Sequence, residues 1–277
     1  IFGDANIKAV VIASATDTHA GLIEAAARTG KQIFCEKPVD LSVPRVEDCL
    51  AAVDKAGVQM MVGFNRRFDP DFAELRKRIH AREIGTLELL TVISKDPAPP
   101  PLKIAEVSGG LFRDMTIHDF DMVRFLMGEE PIAVSATASC QVDPEIGALS
   151  DVDTAVVSLR SASGTLAVIV NSRRATYGYD QRIEAHGSYG MLSVGNRTES
   201  RLVRANSDGI MGSKPMYFFL ERYALAYQAE LDCFLEVLEN KKTGVPNGAD
   251  GLAALVLAEA AAESLDTGRE IELDSIY

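Results

Sequence analysis

The chain has 277 residues, 47% of them hydrophobic and 25% charged, with a formal net charge of -12. That length suggests about two domains, and the composition is that of a soluble globular protein. The acidity argues against a nucleic-acid partner, which needs a basic face. No apolar run reaches the ~18 residues of a membrane span, and no basic segment followed by an apolar one opens the chain, so no secretory signal is expected. Cys35, Cys49, Cys140 and Cys233 are far apart and form no Cys-x-x-Cys pair, which speaks against a zinc site or a redox dithiol. Cys35, Cys49 and Cys233 sit in apolar stretches, where free cysteine behaves as a small hydrophobe, and a reducing cytoplasm suits them.

Residues 8–13 (KAVVIA) are a short β-branched run that predicts a buried parallel strand. A polar turn follows at 14–18. The segment HAGLIEAAARTG at 19–30 has apolar residues at helical spacing and Gly30 as its stop. The strand QIFCE, the helix VEDCLAAVDKAG and the strand VQMMVGF at 58–64 complete an alternation that predicts βαβ units and a parallel sheet. After Asn65 the pattern changes. DPDFAELRKRIHAREIG at 69–85 predicts a helix and 86–94 a long strand; Pro97, Pro99, Pro100 and Pro101 interrupt regular structure; 112–127 predicts another helix. From 132 to 194 strands dominate (IAVSATASC, DTAVVSLRS, TLAVIVNSR, QRIEAHG and MLSV), with SASG as a hairpin turn, so an antiparallel sheet of consecutive strands is expected. Helices return at 221–238 and 249–265. The fold class is α/β followed by α+β: a partial Rossmann-type parallel sheet over 1–66, then a large, mostly antiparallel open sheet flanked by helices over 67–277.

A dinucleotide-binding domain usually opens with a strand, a Gly-x-Gly-x-x-Gly loop and a helix. No such loop occurs here, and Gly109-Gly110 has neither the spacing nor a strand leading into it. One or two further βαβ units of roughly 30 residues each are therefore expected ahead of residue 1. The alternative is a small three-stranded domain that binds nothing.

Four segments carry side chains suited to chemistry. Glu36-Lys37-Pro38 stands at the C-terminal end of a parallel strand, where open α/β sheets bind ligands; the bland alternative is a surface lysine. Asp114 and His118 stand at i and i+4, one helical turn apart, so the carboxylate can hold the imidazole's tautomer; otherwise the pair merely stabilises a helix surface. Asn65-Arg66-Arg67 follows the third strand, and its guanidiniums suit anion or hydroxyl contacts or an ion pair between domains. Tyr177-Gly178-Tyr179-Asp180 lies between two strands and offers phenols to a polar ligand or to edge packing.

Together the segments ASATDTHAGLIEAAARTGKQIFCEKP, VGFNRRFDP, KDPAPPP and SGGLFRDMTIHDFDMVRFL resemble the glucose–fructose oxidoreductase / inositol 2-dehydrogenase (Gfo/Idh/MocA) family over essentially the whole chain, nearest to its inositol 2-dehydrogenase members. The resemblance implies oxidation of a secondary alcohol of a cyclic polyol or sugar to a ketone. It implies NAD as cofactor, with NADP open because the expected pyrophosphate loop and its acidic partner are not in this chain. By the same likeness Lys37, Asp114 and His118 are catalytic, with His118 the base and Asp114 orienting it. Arg66, Asp96 and Tyr179 bind the polyol, and Thr16, His19, Glu36 and Lys37 line the cofactor. No metal is implied. A homo-oligomer, a dimer or a tetramer packed through the open sheet, is expected, with no nucleic-acid or membrane partner. The competing reading is a non-catalytic polyol- or sugar-binding scaffold of the same fold.

Overall fold

The computed structural model describes residues 1–239 and 242–273. Strands β1 (Ala9–Ile12), β2 (Gln32–Glu36) and β3 (Met60–Gly63) alternate with helices α1 (His19–Arg28) and α2 (Val43–Ala56). The strands pair in parallel in the order β1-β2-β3. The run Ile33, Phe34, Cys35 and the run Met60, Met61, Val62 are buried without alternation, as strands covered on both faces require. α2 starts ahead of its apolar pattern because Pro44 fits the first turn, where its missing N–H costs nothing. All three strands end on one rim, which receives a short 3-10 turn at Thr16–Thr18, the Lys37-Pro38 step with its cis peptide bond, and a second 3-10 turn at Asn65–Phe68.

The chain then runs through α3 (Pro70–His80), β4 (Leu87–Lys95) and a short α4 (Leu102–Ala105) to one π-helical turn, Phe112–Thr116. It continues through α5 (Ile117–Met127), β5 (Pro131–Ser139), α6 (Pro144–Ala148), β6 (Thr154–Ser161), β7 (Leu166–Ser172), β8 (Asp180–Gly187) and β9 (Gly190–Val194). An exposed hairpin of β10 (Val203–Asn206) and β11 (Gly209–Gly212) precedes α7 (Phe219–Arg222), α8 (Ala224–Leu238), α9 (Gly248–Thr267) and β12 (Ile271–Glu272). α3 is shorter than its sequence pattern: it stops at His80, and Arg82 takes a left-handed φ of 59°.

The seven-stranded sheet has the order β12-β5-β6-β7-β4-β8-β9. It is antiparallel except where β4 lies parallel to β7. The expectation that consecutive strands are neighbours therefore fails at one place: β4, arriving from the parallel sheet, is inserted between β7 and β8. Strand alternation puts Leu90, Val92 and Ser94, Ala167, Ile169 and Asn171, and Gln181, Ile183 and Ala185 on the inner face. α5 and α9 cover that face. α9 also sends Ala254 and Leu255 into the core of the parallel sheet, and α5 sends Ile117 there, so one pair of helices seals both cores. No helix among the described residues is long and apolar enough to cross a membrane.

The end of β8 is a close approach of two backbones. A Cβ on Gly187 would lie 2.4 Å from the Ile84 carbonyl oxygen and 2.8 Å from that of Thr86. Those carbonyls are held in place because they accept hydrogen bonds from the Tyr189 and Ser188 amides at 2.9 and 3.0 Å. Gly187→Ala is expected to cost about 1–3 kcal/mol, read as a lowered midpoint in denaturant titration with an unchanged slope.

Candidate active site

The rim of the parallel sheet meets the π-turn at Lys37. Its ammonium donates to the Asp114 carbonyl at 2.8 Å and lies 3.6 Å from Asp114 Oδ1. The π-turn begins after Gly109 and Gly110, whose φ angles of 82° and 84° are left-handed. A Cβ on Gly110 would come within 2.8 Å of Asp151 Oδ1, the atom that accepts from the Leu111 amide at 3.0 Å. The double glycine is thus what lets Asp151 hold the start of the segment that bears Asp114 and His118.

Asp114 does not hold the His118 ring, which corrects the expectation drawn from their spacing. Asp114 Oδ2 accepts from Arg173 Nη1 and Nη2 at 3.3 and 3.2 Å, and its other oxygen faces Lys37. The π-turn inserts an extra residue and offsets the one-turn stacking, and a guanidinium outcompetes a neutral imidazole for the carboxylate. His118 Nδ1 is buried with no hydrogen-bond partner among the described residues. The ring meets Phe64 edge-on at 6.5 Å. Burial, and then the charges of Lys37 and Arg66, hold the His118 pKa well below the usual 6.5, so the imidazole is neutral.

Arg66 is almost fully buried and pairs with Asp119, with a second bond to Ser94 Oγ at 3.2 Å. Asn171 Nδ2 donates to the other Asp119 oxygen at 2.8 Å, and Thr116 Oγ1 donates to Asn171 Oδ1 at 2.7 Å. Ser94 Oγ donates to Gln181 Oε1 at 3.0 Å, and Tyr223 donates to the same oxygen at 3.3 Å. Asn171, Ser94 and Gln181 are cross-strand partners on β7, β4 and β8, so they form a polar row under α5. Arg67 is also paired, with Asp121 and with Asp250 at 2.8 Å. Both arginines therefore tie the parallel sheet to α5, Arg67 ties it to α9 as well, and Arg66 reaches a ligand only through this network.

Asp96 follows β4 and is partly buried; burial pushes its pKa up to about 6, against the pull of Arg173 and Arg66. Tyr179 is 7% exposed and packs edge-on against Tyr223 at 6.0 Å. Tyr177 is exposed and its phenol donates to Asp180 Oδ2 at 2.6 Å. His19 is buried with Nδ1 2.8 Å from the Pro38 carbonyl oxygen and Nε2 3.0 Å from that of Ser14. It ties the turn after β1 to the step after β2, so it shapes the rim from inside while half-buried Thr16 sits on it. Glu36 lies across β3, where a Cβ on Gly63 would touch its Oε2 at 2.9 Å. Burial raises the Glu36 pKa, with Lys37 opposing.

Sequence reasoning missed Asp119, Asn171, Arg173, Gln181 and Glu230. For Asn171, Ser94 and Gln181 a signal existed: polar residues at inward positions of otherwise apolar strands. Glu230 on α8 is 1% exposed and keeps one oxygen without a partner among the described residues.

A hydroxyl-bearing ligand on this rim would meet an ammonium, a neutral imidazole with a free buried nitrogen and several carboxylates, the equipment of a dehydrogenase acting on alcohols. The exposed turn 13–15, the step at Lys37 and the unpartnered His118 nitrogen fit a polar cofactor laid across the strand ends. Residues 1–64 match the oxidoreductase family with an NAD-binding Rossmann fold, and residues 72–193 match the GFO/IDH/MocA C-terminal domain. The chain belongs to the GFO/IDH/MocA oxidoreductase family. It is 51% identical to an inositol 2-dehydrogenase of Rhizobium meliloti over 97% of this chain and 82% of that protein. It superposes on a myo-inositol dehydrogenase of Corynebacterium glutamicum with a TM-score of 0.94 and 44% identity, covering 99% of this chain and 82% of the other. A scyllo-inositol dehydrogenase of Lactobacillus casei, solved with NAD(H) and scyllo-inositol, matches with a TM-score of 0.89 and 29% identity, covering 98% and 82%.

The buried Glu230 has a measurable signature. Burial first, then Glu36 and Asp121, push its pKa up to about 9 from an ordinary 4.5. The folded state therefore binds the extra proton between those values, and stability falls as pH rises through that window. Glu230→Gln keeps the shape without the charge. Its melting temperature is expected to fall several degrees less than the wild type's between about pH 5 and 9; parallel melting curves would mean that Glu230 is ionised at no cost.

Proposed function

We propose that the protein oxidises one secondary alcohol of an inositol to the ketone with NAD. The observation that carries this reading is the meeting of Lys37 with the Asp114–His118 segment, in which a neutral, half-buried imidazole with a buried Nδ1 feels the charge of the Lys37 ammonium. Identity of 51% to an inositol 2-dehydrogenase supports the substrate class. Bound NAD would supply the hydride acceptor. His118 takes the hydroxyl proton; its lowered pKa leaves it unprotonated across the neutral range. Lys37 stabilises the negative charge that develops on the substrate oxygen. Asp114 Oδ1, turned towards Lys37, accepts from a substrate hydroxyl, and Asp96 and Tyr179 face the polyol. Thr16, Glu36 and Lys37 hold the cofactor side, with His19 fixing the shape of their loops and Arg66 anchoring the floor. No observation favours the non-catalytic scaffold.

In this reading residues 1–66 belong to the dinucleotide-binding unit and 67–277 to the substrate and assembly unit, sealed together by α5 and α9. The outer sheet face exposes Leu89, Val156 and Leu166, which supports a homo-oligomer, dimer or tetramer, packed through that face. The four free cysteines, three of them buried, suit a reducing cytoplasm. A charge of -12 suits neither nucleic acid nor an anionic membrane surface.

His118→Ala should lower kcat for myo-inositol oxidation by roughly 10²–10⁴; a loss below about tenfold would remove His118 from the chemistry. Lys37→Ala should damage kcat more than NAD affinity, measured by fluorescence quenching, and a change confined to NAD affinity would make Lys37 a binding residue only.

A further inference from the structure

Arg173 is, with Arg222, one of the two largest fully buried side chains among the described residues, at 1% exposure. It follows β7 on a rigid mount. Its amide donates to the Asp153 carbonyl at 2.8 Å, and the Asp153 carboxylate in turn accepts from the amides of Gln141, Val142 and Asp143. Both terminal nitrogens of the guanidinium converge on one oxygen, Asp114 Oδ2. Two donors on a single oxygen pin that oxygen, and the Lys37 ammonium 3.6 Å from Oδ1 sets the direction in which the carboxylate turns about it. The other oxygen is left facing Lys37, and neither reaches His118, whose Nδ1 has no partner.

We infer that Arg173 is a positioning residue of the reaction: it holds the Asp114 carboxylate off the His118 ring, so that the imidazole remains a free base and Asp114 Oδ1 stays available beside Lys37. The catalytic half of this inference rests on the dehydrogenase reading, and the structural half does not. The charged groups around the pair are Lys37 after β2, Arg66 after β3, Asp96 after β4, Asp119 in α5 and Arg173 after β7. Lys37 and Arg66 are the charges that hold down the His118 pKa. Arg173 therefore acts on the ring through Asp114: once released, the carboxylate can swing to Nδ1 and stabilise the imidazolium.

The test compares the wild type with Arg173→Gln, Arg173→Lys and the double variant Arg173→Gln/Asp114→Asn. The four histidines are titrated by NMR with labelled imidazoles, and the His118 signal is assigned by its loss in His118→Ala. In Arg173→Gln the His118 pKa is expected to rise by about one unit or more. Arg173→Lys, which keeps one cation on Asp114, should rise less, and the double variant should return towards the wild type. With myo-inositol and NAD, kcat/KM of Arg173→Gln should fall roughly 10- to 100-fold, with its acid limb displaced upward and the NAD Kd unchanged. A His118 titration and an acid limb that stay at wild-type values overturn the inference, whether or not the variant melts earlier. Should Arg173→Gln fail to fold, Arg173→Lys carries the same titration. Because the titration needs no turnover, it decides the role of Arg173 whether or not inositol is the substrate.

Discussion

The structure hangs on the buried pair of Arg66 and Asp119, whose side chains are 5% and 0% exposed. Arg66 ends the parallel sheet, and Asp119 stands one residue after His118 on α5. Neither charge is tolerable alone at that depth. The pair persists because each end has a further partner: Ser94 takes the second guanidinium nitrogen and Asn171 the second carboxylate oxygen. An ion pair buried in this way sets geometry more than it adds stability. Here the geometry it sets is the register of α5 against the strand ends, and hence the position of His118 relative to Lys37. Arg67, with Asp121 and Asp250, repeats the arrangement one residue on and brings in α9.

What makes this joint possible is the insertion of β4. Ser94 sits in register with Asn171 on one side and Gln181 on the other only because β4 lies between β7 and β8. A strictly sequential meander would have paired β7 with β8 and left no serine beneath Arg66. The same insertion delivers Asp96 to the rim.

Most strands and helices were legible because apolar patterns report burial: period 2 or 3.6 where one face is covered, an unbroken apolar run in β2 and β3 where both are, while the short α4 and α6 and the fully exposed β10–β11 hairpin carried no such pattern. The stops at Gly30 and Gly57 were legible for a local reason: each takes a left-handed φ. The insertion of β4 was not, since pairing order depends on partners far along the chain. The π-turn was not either. One residue more or less in a turn leaves the composition of DMTIHDFDM unchanged, yet it decides whether Asp114 and His118 stack. Of the site, Lys37, Asp114 and His118 do converge, but the spacing argument supplied the wrong bond among them. Arg173 lay 59 residues away in sequence, and nothing local in SRRATYG ties either arginine to Asp114.

The charges of the site nearly cancel: Lys37, Arg66 and Arg173 stand against Asp96, Asp114 and Asp119. A neutral polyol entering such a site brings no charge that would need a new counterion, so the protein group whose charge changes in the proposed reaction is His118. Its surroundings oppose that change. Burial and two neighbouring cations make the imidazolium costly, so the ring accepts the hydroxyl proton only while negative charge develops on the substrate oxygen, and it releases that proton readily afterwards. A carboxylate bonded to Nδ1 would reverse this, holding the proton on the ring after the ketone has formed. In the proposed reaction, keeping Asp114 on Arg173 would therefore make His118 a weaker base at rest and a faster one to reset, which suits a cycle that must shed a proton at every turnover.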